Sequence, residues 1–151
     1  MVTIEEFKKK QSDKTRLVGL DLGSKRIGVS ISDDRQSIAT PFKTINKTNT
    51  NDLINELKKI ITEYNIKGII IGNPVNLDGS IGRSAQSVND VASNISKSIN
   101  LPVILWDERL STVGAFNLSS QLDVNVTKRV KTIDQNAAAF ILQGALDYLN
   151  N

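Results

Sequence analysis

The stretch Leu17 to Ser30 constrains the fold more than any other part of the chain. Leu17 to Leu22 is a short apolar run broken by one carboxylate, Asp21. Such a run reads as a strand buried on both faces, where an uncompensated charge is expensive. Gly23 and Ser24 end it, and a second run opens at Ile27 within reach of a tight hairpin. An acid at the centre of a sheet needs a compensating charge. A divalent cation is the commonest one that carries chemistry, so other carboxylates are expected to converge on Asp21.

Elimination narrows what that cation can be. The chain has no cysteine and no histidine, which removes thiolate and imidazole metal sites, disulfides and histidine-based triads together. Oxygen ligands remain, and they select magnesium, manganese or calcium. At 151 residues, 39% hydrophobic and 23% charged, the chain has the composition of one globular domain with a single good core. Met1 to Arg16 lacks an apolar segment of signal-peptide length, and no later run could span a membrane, so a cytoplasmic location is expected.

Periodicity supplies the order of elements. Thr3-Ile4-Glu5-Glu6 fits a capping box, with a short helix at about 4–11 on an extension, residues 1–15, that is expected to fray. Three strands follow at about 16–22, 27–32 and 37–45, the third placed at an edge by Pro41. An amphipathic helix spans about 51–64, a β-branched strand 67–72, a second helix 81–98 and a further strand 101–106. Ser111 or Thr112 can cap a short helix to about 120. A second capping box, Thr132-Ile133-Asp134-Gln135, opens the last helix. The expected architecture is one α/β domain over residues 16–149. Its five-stranded mixed sheet combines a three-strand antiparallel meander with two parallel strands, has the first strand central and carries helices on both faces.

In open α/β sheets, sites form beyond the carboxyl ends of the parallel strands. Asp21 and Glu108 belong at such ends, and Asp134 belongs on a helix that must pack against the sheet, its side chain turned toward the face marked by Ala138. Three carboxylates in one crevice repel unless a cation joins them. With one or two Mg2+ or Mn2+ ions they form a site for in-line phosphoryl displacement. Each acid also has an ordinary role open to it: Asp21 as a partner of Lys25 or Arg26, Glu108 of Arg109, and Asp134 as a first-turn acid on the helix dipole. Lys25, Arg26, Arg83, Arg109, Lys128, Arg129 and Lys131 lie where a phosphate backbone would run past the acids. Aromatic residues are only 5% of the chain, which favours a structured nucleic acid read by shape over a single strand read by stacking.

The same residues carry a family resemblance. Leu20-Asp21-Leu22-Gly23-Ser24-Lys25-Arg26-Ile27-Gly28-Val29, Gly72-Asn73-Pro74 with Asp78-Gly79-Ser80, Trp106-Asp107-Glu108-Arg109-Leu110-Ser111-Thr112, and Asp134 ahead of Ala137-Ala138 and Ile141-Leu142-Gln143-Gly144 resemble the YqgF family over residues 16 to 149. That family is described both as Holliday junction resolvases and as pre-16S rRNA nucleases. The resemblance implies a ribonuclease H-like fold, Asp21, Glu108 and Asp134 as metal-binding catalytic acids, and a role in maturing the 5′ end of small-subunit ribosomal RNA. Resolvases of this fold usually use four acids, and the end of the fourth strand offers Asn73 instead. Three further readings stay open: a resolvase of branched DNA, a non-catalytic RNA-binding assembly factor, and one lobe of an actin-like ATPase. Monomer and homodimer are both compatible with the sequence, because no stretch identifies a dimer face.

Overall fold

A computed structural model describes residues 1–11, 13–23, 25–46, 49–74, 83–107 and 126–151; the side chains of 83–85, 126–133 and 135 lie outside that description. Strand β1, Arg16–Leu22, is the middle of a five-stranded sheet of order β3-β2-β1-β4-β5. β2 is Arg26–Ser32 and β3 is Ala39–Asn46; both pair antiparallel, as the meander requires. β4, Ile66–Asn73, and β5, Val103–Asp107, extend the sheet in parallel on the other side. β3 does lie at the edge, and Pro41 sits where the register slips between Val29 and Ser30 of β2. A residue without an N–H is tolerated at such an irregular edge.

The helices divide between the two faces. α2, Thr50–Tyr64, is capped by Asn49, whose side chain accepts from Asp52 N at 2.8 Å, and it ends on Asn65 in the left-handed region. Its Leu53, Leu57 and Ile60 pack with Val88, Ala92 and Ile95 of α3, Arg83–Ser98, against Val18, Leu20, Ile69 and Ile71. On the opposite face α4, Val126–Leu149, sets Ile141, Leu142, Ala145 and Leu146 against Leu17, Ile70 and Ile104. The strict alternation along β1, with Leu17 to one side and Val18 to the other, is what a strand buried on both faces demands.

Two expectations are corrected. The last helix does not open at Thr132: its backbone begins at Val126, so Lys128, Arg129 and Lys131 are helical and Asp134 lies two turns inside. Val126 to Lys131 contains no proline or glycine, and burial of the later turns carries the helix backward past its local capping signal. The N-terminal segment is not frayed either. α1, Ile4–Lys10, is capped by Thr3, whose hydroxyl accepts from Glu6 N at 3.1 Å, and it buries Ile4 and Phe7 in the α4-side core. Val2 adds a parallel bridge to Ile104, with Val2 N donating to Val103 O at 3.0 Å, and so covers part of the β5 edge. Lys8 Nζ donates to the carbonyls of Tyr148 and Asn151, and Lys14 Nζ to Asn150 Oδ1 at 2.6 Å, tying this segment to the end of α4.

Phe7→Ala is therefore expected to lower the free energy of unfolding by about 3 kcal/mol, the cost of emptying a buried aromatic site. Urea unfolding of the full chain measures this; a loss within about 0.5 kcal/mol is what a peripheral, unpacked helix would give.

Candidate functional site

The site is built by backbone proximity before any charge is considered. Along β1 the residues facing α4 are Leu17, Gly19 and Asp21. Asp21 is the register partner of Gly28 on β2. At Gly28 the α4 backbone comes so close that an added methyl group would stand 2.0 Å from the carbonyl oxygen of Asp134. Gly19 repeats the arrangement two turns on, where a methyl group would meet Leu142 Cβ at 2.7 Å and Ser30 Oγ at 2.5 Å. Between them Ser30 Oγ donates to Ala138 O at 2.8 Å, so a small polar side chain fastens the helix to the sheet. Glycine is required at 28 because anything larger would lift Asp134 away from the strand that carries Asp21.

The electrostatics follow from that approach. The Asp21 carboxyl is pushed from its ordinary 3.8 to about 6, chiefly because burial disfavours the ionised form and secondarily because the Asp134 charge repels it. Asp134 has a counter-charge: Arg26 Nε lies 2.8 Å from its Oδ2, with the Asp134 side chain 19% exposed and the Arg26 side chain 41% exposed. With all three ionised, the cluster carries two negative charges and one positive. A desolvated carboxylate with an anionic neighbour is an environment that a hard cation improves. The donor set suits magnesium or manganese, since carboxylate oxygens are present and the chain holds no imidazole or thiolate.

The structure thus brings together Asp21, Asp134 and Arg26. Asp134 turns toward the buried face, as its spacing from the fully buried Ala138 predicts, although it does so from within the helix. Arg26 pairs with Asp134 and not with Asp21. Lys25 is exposed in the β1–β2 turn. Arg83 opens α3, and Lys128, Arg129 and Lys131 lie on the first two turns of α4, all at the level of backbone only. Glu108 follows the last residue of β5, and it and Arg109 lie outside the described residues, as does the helix expected at 111–120. Among the described residues no group of three acids forms. At the end of β4, Asn73 is in register with Asp107, and its buried Oδ1 has no hydrogen-bond partner among the described residues.

Sequence reasoning assigned no role to Gly19, Gly28 or Ser30. Their signal was legible in part: small residues at period-two spacing on neighbouring buried strands mark where another backbone approaches closely. Which backbone that is cannot be read from the strands.

Comparisons with known proteins place the chain in a family and relate its fold to solved structures. A family model described as "RuvX: Holliday junction resolvase" matches residues 15–148. A protein of Pelagibacter ubique named "Putative pre-16S rRNA nuclease" is 83% identical over 151 residues, covering 100% of both chains. One of the same name from Rhodobacter capsulatus is 47% identical over 133 residues, 88% of this chain and 84% of that protein. Among solved structures, Thermus thermophilus RuvC in complex with a Holliday junction substrate superposes with a TM-score of 0.55 at 7% identity, over 89% of this chain and 95% of that one. The Fowlpox virus resolvase in complex with Holliday junction DNA gives 0.50 at 15% identity, over 90% of this chain and 97% of that one. At these identities the structural likeness is one of fold, and the fold is the ribonuclease H-like arrangement expected from the sequence.

The raised Asp21 pKa has a testable sign. Below about pH 4 the residue is protonated whether the chain is folded or unfolded, and it carries no penalty. Between about 4 and 6 the unfolded chain releases this proton first, so stability falls as pH rises, and above about 6 the full penalty is present. Asp21→Asn removes it. In EDTA the variant is expected to exceed the wild type in stability by about 1–3 kcal/mol at pH 8, with the gap closing toward pH 4. Thermal unfolding across pH 4–8 checks this; a gap independent of pH would contradict it.

Proposed function

The chain belongs to the RuvX family, and from that premise we propose that it is a metal-dependent nuclease that cuts phosphodiester bonds during 5′-end maturation of pre-16S rRNA. The observation that carries the reading is the Asp21–Asp134 pair, held at the carboxyl end of the central strand by the Gly28 contact. Support for ribosomal RNA as substrate comes from the names of relatives at 83% and 47% identity. Among the described residues no helix is long and apolar enough to cross a membrane, in keeping with action on rRNA precursors in the cytoplasm.

In this reading Asp21, Glu108 and Asp134 hold Mg2+ or Mn2+. The bound cation supplies activation of water and neutralisation of the charge that develops on the phosphate during in-line displacement. The chain's own groups do the rest. Burial of Asp21 keeps bulk water from competing for its carboxylate. The rigid seat of α4 on Gly19, Ser30 and Gly28 fixes the spacing between the two acids, which positions the reacting groups before substrate arrives. Lys128, Arg129 and Lys131 stand within two turns of Asp134 on the same helix, and with Lys25, Arg26, Arg83 and Arg109 they provide the cationic track for the phosphate backbone.

A second reading is resolution of four-way DNA junctions, favoured by the description of the family model. A side-by-side cleavage assay decides between them. It uses a pre-16S 5′ leader and a four-way DNA junction, each with Mg2+ or Mn2+, for the wild type and Asp21→Asn. The expected outcome is leader cleavage that falls at least about a hundredfold in the variant, the upper end of what loss of a ligand's supporting partner alone costs. Cleavage of the junction alone would assign the resolvase role. Silence on both would leave a non-catalytic RNA-binding factor.

A further inference from the structure

Arg26 was expected to meet phosphate, yet the structure pairs it with Asp134. It is the first residue of β2, directly after the turn that leaves Asp21's strand, and its Nε donates to Asp134 Oδ2 at 2.8 Å. Among the described residues no other hydrogen bond engages the guanidinium. The arginine side chain is 41% exposed, whereas the carboxylate it holds is 19% exposed and sits on a helix packed closely against Gly28.

We propose that Arg26 is the resident counter-cation of this centre, occupying Asp134 until a divalent cation displaces it. The proposal rests on the reading of Asp21 and Asp134 as metal-holding acids. Its physical basis is a charge balance. Two carboxylates and one guanidinium leave a single negative charge, tolerable in a half-buried cluster. A divalent ion arriving at the same oxygens would reverse that sign and place two cations within a few ångströms of each other, where they repel strongly. The more exposed partner yields, and it becomes available for the phosphate role given to it above. Arginine is suited to such a partner switch, because one planar fork serves carboxylate and phosphate alike. The opposing possibility is that Arg26 orients Asp134 permanently as a supporting partner. The two predict opposite effects on metal affinity.

The test is a Mn2+ titration of the full chain by calorimetry, alongside thermal unfolding in EDTA, for the wild type, Arg26→Gln, Arg26→Lys, Asp134→Asn and the Arg26→Gln/Asp134→Asn double variant. Competition predicts that Arg26→Gln binds Mn2+ roughly two- to fivefold more tightly, the range that corresponds to a partly exposed ion pair. The same variant is expected to unfold at a lower temperature in EDTA, because the two acids then face each other uncompensated. Arg26→Lys retains the charge and is expected to bind as the wild type does, which guards against a folding artefact in the glutamine variant. In the Asp134→Asn background the Arg26 substitution should lose its effect. Equal or weaker Mn2+ binding by Arg26→Gln, or tightening that persists without Asp134, overturns the proposal while leaving the metal reading intact. Absence of Mn2+ binding by the wild type overturns both.

Discussion

The close approach of the α4 backbone to Gly28 is the constraint on which the rest depends. A helix normally sits about 10 Å from a sheet, held off by side chains on both surfaces. Here Gly19 and Gly28 remove those spacers from the two central strands, and Ser30 converts the gap into a hydrogen bond with Ala138 O. The gain in packing is continuous with the apolar contacts of Ile141, Leu142 and Ala145 further along the helix. The consequence is electrostatic: Asp134 is brought over the register partner of Asp21, and two acids from opposite ends of the chain become neighbours.

That arrangement carries an electrostatic cost. Ionised Asp21 is disfavoured by its own burial, and Asp134 adds to the penalty. Natural domains have only a narrow margin of stability, so a charge held in this way needs compensation elsewhere. The two-faced core supplies it, with β1 and β4 almost wholly buried between α2 and α3 on one side and α1 and α4 on the other. The Arg26–Asp134 pair is a smaller, local compensation.

The first residues contribute to the same scaffold. Val2 bridges to Ile104, Phe7 fills the space over Gly68, and the lysines of α1 and the following loop grip the last turn of α4. Asn150 then donates to Gln36 O, and Gln36 Nε2 to Gln11 Oε1, which links the end of the helix, the β2–β3 turn and the N-terminal segment into one polar seam. The helix that carries Asp134 is thus clamped at the end far from the acids as well as near them.

By itself the sequence determined the elements and their faces. Apolar runs of β-branched residues specified β1, β4 and β5, period-3.6 patterns specified α2 and α3, and Pro41 specified an edge, because each of these is a local property of backbone and burial. It also narrowed the chemistry, since a chain without histidine or cysteine has no imidazole or thiolate to offer a metal. The start of α4 at Val126 and the burial of Ile4 and Phe7 were decided by the tertiary structure, where contacts distant in sequence outweigh a local capping signal or a charged surface. The same holds for the partner of Arg26: the sequence places it beside Asp21, and only the approach of a helix more than a hundred residues away assigns it to Asp134. Side-chain pairing across a sheet–helix contact depends on how near the two backbones come, and that distance is fixed by packing, not by any one segment.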